Sequence, residues 1–236
     1  HDKFIAHAFG SSSLLIFIEL QSVGSTRESI NTEILRNMPL PIPSIPEQQT
    51  IAAFLDRETS RIDELIAKKE RQIELLQEKR SALISHAVTK GLDPNVKMKD
   101  SGVEWLGEIP EHWKILRLIA VGSMKKAIGG SKQDNVDNGI PCVRYGDLYT
   151  TYDVAIKTIH NFINSDIINN YTTIKYGDIL MAASGETYED IGKSAVNLVA
   201  SEAYCGGDII IFRPEKSLHP VFLAYALNSV SAQIQK

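Results

Sequence analysis

The residues of this chain best placed to do chemistry are lysines, tyrosines and carboxylates set around glycines. Gly129-Gly130-Ser131-Lys132 lacks the G-x-x-x-x-G-K-[ST] spacing of a nucleotide-binding loop. With Lys125, Lys126 and Gln133 beside it, the segment suits a DNA backbone or groove instead, because lysine neutralises phosphate and glutamine can pair with adenine. An ordinary solvated loop is the competing reading of 125–133. Tyr145 and Tyr149, with Gly146 and Asp147 between them, follow an expected strand and can reach base edges, although core tyrosines and a turn aspartate explain them equally well. Ser184, Glu186, Thr187 and Lys193 make a second loop of the same kind, in which Glu186 can accept from a cytosine amino group. Ser25, Thr26 and Arg27, next to Gly24, offer phosphate-compatible groups or a cap for the next helix.

Bond-breaking chemistry is not indicated. The histidines never pair at metal-ligand spacing, and no H-E-x-x-H or Ser-His-Asp arrangement can be assembled by proximity in sequence. No metal, no cofactor and no catalytic residue are expected; a hydrolase using Asp147 or Asp178 ranks last among the readings.

The elements that must position these residues are of two kinds. Ser44 with Glu47 three residues on has capping-box spacing, and Pro46 suits a first helical turn. No Gly or Pro occurs from there until Gly91 and Pro94, which supply the stop. The result is a helix of about 43 residues, a rod of roughly 65 Å. Its seam runs through Leu55, Thr59, Ile62, Ile66, Lys69, Ile73, Leu76, Arg80 and Leu83, alternating four and three as in a coiled coil. Such a seam needs a second helix, and Lys69 and Arg80 upon it call for partners across a register-specific, antiparallel pairing.

Before the rod, residues 4–20 are helix-compatible, a short helix opens at Asn31 or Thr32, and Pro39, Pro41 and Pro43 force an extended spacer. After it, residues 91–113 read as a loop anchored by Trp105 and Trp113. From Lys114 the pattern becomes short strands and turns, with strands expected at 115–119, 140–143, 172–174, 179–182, 195–199 and 208–212, and a helix over 219–236. The fold class is α+β: a mixed domain joined to a long heptad-patterned helix that forms an antiparallel coiled coil.

Composition sets bounds. The 236 residues allow one large or two smaller units, and the net charge of −4 gives no global argument for nucleic acid. Residues 114–150 are locally basic, however, and local charge can steer a polyanion. Cys142 and Cys205 read as unpaired thiols. No apolar stretch approaches the ~20 residues of a membrane span and no signal-peptide pattern is present, so a soluble cytoplasmic protein without membrane contact is expected.

A long-period repeat is also visible. His1, Phe4, Ala6 and Ala8 recur at one offset as His219, Phe222, Ala224 and Ala226, and Ser11/Ser229, Ser13/Ser231 and Ile16/Ile234 extend the match. This implies similar domains in tandem, or two copies brought together by dimerisation.

Taken in order, the motifs resemble those of specificity subunits of type I restriction-modification systems. They are Gly24-Ser25-Thr26-Arg27; Pro39-Leu40-Pro41-Ile42-Pro43 leading to Glu47-Gln48-Gln49; the heptad helix with Ile62-Asp63 and Ile66; Gly107-Glu108-Ile109-Pro110-Glu111-His112-Trp113; Gly139-Ile140-Pro141; and Gly177-Asp178-Ile179-Leu180 with Ser184-Gly185. The resemblance implies a non-catalytic subunit that binds double-stranded DNA at a bipartite site, one recognition domain per half, alongside methyltransferase and restriction subunits. It implies that 1–45 is the C-terminal part of one recognition domain, 46–90 the spacer helix, 91–113 a linker and 114–236 most of the next recognition domain. A second copy, or a second repeat, would pair through the helix, and an antiparallel dimer would complete each recognition domain in trans; a slice of a longer tandem subunit is the alternative. The rival from another class is a coiled-coil scaffold whose α+β domain binds protein.

Overall fold

The computed structural model describes residues 2–10, 12–21, 32–130 and 132–229. Ser25, Thr26 and Arg27 lie outside the described residues, as do residues 230–236; the helix expected over 219–236 is shorter and ends at Leu227, with Asn228 as its C-cap. The chain divides into two compact units, His1–Leu76 and Gln77–Lys236.

The first unit is helical. The helix expected over 4–20 is two: α1 (Asp2–Phe9) and α2 (Ser12–Gln21). They part at Gly10, whose amide still bonds Ala6 and His7 carbonyls, because glycine gives up most backbone freedom in a helix. The short helix α3 (Thr32–Arg36) comes next. After the proline spacer comes α4 (Ile45–Lys90), which runs on through the division between the units. Its start is fixed as the sequence implies, with Ser44 donating from its amide (3.0 Å) and hydroxyl (2.6 Å) to Glu47 Oε2. These bonds hold the Glu47 carboxyl below its ordinary range. Gly91, at φ +82°, ends it in the left-handed conformation. Along the seam Ile62, Ile66, Ile73, Leu76 and Leu83 are each half or more exposed. Lys69 and Arg80 take partners other than a facing helix: Lys69 reaches Gln72 and Arg80 reaches Asp153.

The second unit carries the sheets. The stretch expected to be a loop, 91–113, contains the antiparallel pair β1 (Met98–Asp100) and β2 (Glu108–Pro110). No strand forms at 115–119; a 3-10 turn covers Leu118–Ala120, and β3 (Gly122–Lys126) comes instead from the more polar residues after it. Then come β4 (Asn135–Val136), β5 (Ile140–Val143), α5 (Asp147–Thr150), β6 (Ala155–Ile156), β7 (Phe162–Ile163), β8 (Thr172–Ile174), β9 (Ile179–Ala182), β10 (Ser194–Asn197), β11 (Ala203–Cys205), β12 (Ile209–Pro214) and α6 (Pro220–Leu227). One sheet has the order β3-β12-β9-β10-β6, the other β4-β7-β5-β11-β8.

Period-two alternation assigns each face. Leu180, Ala195, Ile209 and Ile211 of the first sheet join Val143, Ile174, Ala203 and Cys205 of the second in one buried cluster. Their strand neighbours point the other way: Ile179, Val196 and Phe212 pack with Ala224 of α6, while Cys142 and Tyr204 pack with Ile163 and Tyr171. Burying each such large side chain contributes about 1.5–3 kcal/mol. The carboxylate of Asp178, 1% exposed, is taken up by Arg213 in two bonds of 2.6 Å and by the Lys175 amide at 2.8 Å. Asp178 is thus structural, with no oxygen aimed at a ligand.

Candidate nucleic-acid interface

A polar cleft of about 710 Å³ opens in the second unit where β5, α5 and three loops converge. Lys132, Tyr145, Tyr149 and Glu186, drawn from three separate stretches of sequence, line it together. Two Gly-Gly segments form one wall. A Cβ on Gly129 would stand 2.5 Å from Gly206 Cα and 2.8 Å from the Gly207 nitrogen, so the two backbones touch in a way that only glycine permits. Next to them Asp208 has φ 58°, a left-handed conformation that aspartate tolerates and most residues avoid.

Behind this wall lies a continuous hydrogen-bonded ring. Arg144 donates to Asn135 Oδ1 from Nε (3.0 Å) and Nη2 (2.5 Å), to the Tyr171 hydroxyl (3.1 Å) and to the Gly130 carbonyl (3.4 Å). Its guanidinium also lies 5.1 Å from the Tyr171 ring centroid. Tyr171 donates to Asp134 (2.6 Å), and Asn135 donates to Asn161 (3.0 Å). Asn161 donates to both oxygens of Asp147, whose Oδ2 also accepts the Arg144 amide at 2.8 Å. Arg144 is therefore committed to protein groups, and both oxygens of Asp147 are engaged by them. Neither stands free as a nucleophile, base or ligand.

The groups facing the opening suit hydrogen bonding. Tyr145, 39% exposed, and Tyr149 have ring centroids 6.2 Å apart. Desolvation first, then the neighbouring Tyr145 and the carboxylates of Glu186 and Asp190, push the Tyr149 hydroxyl above its ordinary range, so it stays a neutral donor and acceptor near neutral pH. Glu186 offers an exposed acceptor and Lys132 an exposed cation.

The other expected site residues are spread more widely. Lys125 and Lys126 lie on edge strand β3, paired with Ile211 and Ile210, rather than on the glycine loop. Successive strand side chains leave opposite faces, so the two lysines diverge. Gln133 sits in the 3-10 turn Lys132–Asp134. Ser184 is half-buried just before Gly185, and the Thr187 hydroxyl is engaged with Asp190 at 3.0 Å as the cap of the Tyr188–Asp190 turn. Lys193 lines a different cavity, of about 220 Å³, with Arg80 and Asp153. Sequence reasoning missed Asn135, Asn161, Tyr171 and the Gly206-Gly207-Asp208 wall. The second Gly-Gly pair was a visible signal; its partner was not.

Among the described residues no group of three or more His, Cys, Asp or Glu side chains could hold a metal ion, and no helix is long and apolar enough to cross a membrane.

Residues 2–75 match the family model for the type I restriction modification DNA specificity domain. The chain is 28% identical over 168 residues to the type I restriction enzyme MjaVIII specificity subunit of Methanocaldococcus jannaschii, a match spanning 70% of this chain and 37% of that protein. It is 28% identical over 207 residues to the MjaIX specificity subunit of the same organism, spanning 84% of this chain and 44% of the relative. The matches thus span less than half the length of these relatives. A solved chain described under complex assembly and conformational transition of the type I R-M system superposes with TM-score 0.59 and 18% identity, over 99% of this chain and 52% of that one. That likeness is one of fold: an α+β domain with a long helix. The chain is thus similar to the specificity subunits of type I restriction-modification systems, the family that its motifs resemble.

Proposed function

We propose that the second unit reads one half of a bipartite duplex DNA site, with the cleft between Gly129-Gly130 and Gly206-Gly207 as its reading face. The observation that carries this reading is the convergence of Lys132, Tyr145, Tyr149 and Glu186 on one braced polar cleft. Their chemistry is that of groove contact: a cation for phosphate, hydroxyls for either donor or acceptor edges, and a carboxylate for a cytosine amino group. In this proposal residues 114–236 are most of a recognition domain, 1–45 are the end of another, and 91–113 link the spacer helix to the recognition domain after it.

The exposed seam of α4 takes a second helix, supplied by a second copy or a second repeat, in antiparallel register. A rod of roughly 65 Å spans almost two turns of B-DNA and would fix the distance between two readers by stiffness. Methyltransferase subunits dock on the helical region, a restriction subunit joins them, and their active sites supply the chemistry in the cytoplasm. This subunit contributes address, not catalysis.

The test is selection from a duplex library with two randomised half-sites, then affinity measurements across salt. The proposal expects an enriched half-site and an affinity that falls steeply with salt. Binding that is indifferent to both sequence and salt would overturn it.

A further inference from the structure

We propose that Asp208 is a further base-reading residue of the cleft, its carboxylate accepting from the amino group of a cytosine in the major groove. The inference rests on the DNA reading of the cleft given above and names a base that the cleft meets. The charged residues lining the cleft are Lys132, Arg144, Asp147, Glu186 and Asp208. Arg144 and Asp147 are taken up by the hydrogen-bonded ring behind the wall. The opening is therefore left with one cation against two carboxylates. Asp208 is exposed, and among the described residues no protein group bonds its carboxylate. A bare carboxylate on a face turned to DNA repels every phosphate, so it weakens binding to all sequences unless a donor meets it.

The backbone holds this carboxylate in place from both sides. The Asp208 carbonyl accepts the Ala183 amide at 2.9 Å, while Ile209, fully buried, pairs with Ala182 and accepts the Ala127 amide at 2.8 Å. The Ala183 bond also ties Asp208 to the loop that carries Glu186. In that loop Gly185 packs so closely that a Cβ would stand 2.4 Å from the Asp190 Cβ. Groups set this firmly at a strand end suit readout, because a base edge is discriminated by a group that cannot swing away. The left-handed backbone at φ 58° does not itself call for a carboxylate, since asparagine tolerates it and glycine adopts it freely. The charge is what needs a partner.

Groove chemistry selects that partner. An ionised carboxylate only accepts. Guanine offers it N7 and O6 and thymine offers O4, all acceptors, and adenine sets its N7 acceptor beside its amino group. Cytosine presents an amino group with no acceptor on its own edge, so it is the base that Asp208 meets without repulsion.

The test passes the wild-type chain through duplex selection beside Asp208→Asn and Asp208→Gly, which both keep the backbone conformation, with thermal melts as the control for folding. Wild type should enrich a half-site with a cytosine at one position where both variants lose the preference, all other positions staying the same. Affinity for the selected duplex should fall about tenfold in each variant, and affinity for an unrelated duplex should rise because a repulsive charge is gone. Fluorescence anisotropy with N4-methylcytosine at that position probes the contact itself and needs no variant, because the methyl replaces the groove-facing hydrogen and leaves the base pair intact. Wild type should lose about tenfold on the methylated duplex, and Asp208→Gly, with room for the methyl, should be indifferent to it. No enrichment by the wild type overturns the reading of the cleft and this inference with it. A half-site that all three proteins share, a preference for another base at the position that the variants alter, or a wild type blind to the methyl refutes the role of Asp208 and leaves the cleft standing.

Discussion

Replacing Arg144 by alanine removes the hub of the cleft wall. The guanidinium bonds Asn135, Tyr171 and the Gly130 carbonyl and stacks on Tyr171. Hydrogen bonds involving a charged group contribute about 1.5–3 kcal/mol each, the low end suiting a half-buried site, and an exposed cation–aromatic contact adds about 0.5–1 kcal/mol. These contacts form one coupled unit and do not sum. The expected loss is about 2–3 kcal/mol, a fall of roughly 4–12 °C in melting temperature for a protein of this size. Because Arg144 is committed to the wall, its loss should weaken binding to a selected duplex about tenfold, or about 1.4 kcal/mol, while leaving the dependence on salt unchanged. Arg144→Lys should behave nearly as badly, since an ammonium cannot bridge the three partners. The assay is fluorescence anisotropy across a salt series, paired with thermal melts. A salt slope flattened by about one unit, with the melting temperature unaltered, would make Arg144 a phosphate contact and refute the reasoning.

Other outcomes rest on the same geometry. Alanine at Lys132 should lower affinity for all sequences alike and flatten the salt slope by about one; because Lys125 and Lys126 leave β3 on opposite faces, replacing both should flatten it by about one, not two, as the same anisotropy series would reveal. Ile66→Asp, at a site 50% exposed in the single chain, should leave the melt of the unpaired chain almost unchanged yet cost several kcal/mol of pairing, read by sedimentation. Burial pushes the Cys142 thiol up to about 11 and that of Cys205 higher still, so both should resist thiol reagents at pH 8 until the protein unfolds. The same shift favours the protonated thiol in the folded state. Stability from Cys142 is therefore complete below the ordinary thiol range near 9 and falls as pH rises toward 11, by about 1.4 kcal/mol per unit, measurable by urea titration.

The long helix was legible because its signals are local: Ser44 and Pro46 at one end, Gly91 at the other, heptad spacing between. Strands such as β9 and β12 were legible because apolar residues crowd stretches buried on both faces. Residues 115–119 carried the same apolar signal without becoming a strand, and Ile115, Leu116 and Ile119 remain 45–69% exposed. What made β3 instead was backbone pairing with β12, a long-range contact to which Gly122-Ser123-Met124 gives no local clue. The site divides in the same way. Tyrosines, lysines and Glu186 beside glycines could be picked out by type, but that four of them share one cleft depends on sheet topology. The brace was hidden for a simpler reason, since Asp134, Arg144 and Tyr171 meet only through the fold.

The claim that this cleft reads bases is tested most directly by repeating the duplex selection with Tyr149→Phe and Glu186→Gln beside the wild-type chain. Both changes preserve shape while removing a hydroxyl or a charge. The account predicts a defined half-site for the wild type and altered base preferences, at one or two positions, for each variant. An identical enriched sequence for all three proteins, or no enrichment by the wild type, would contradict it.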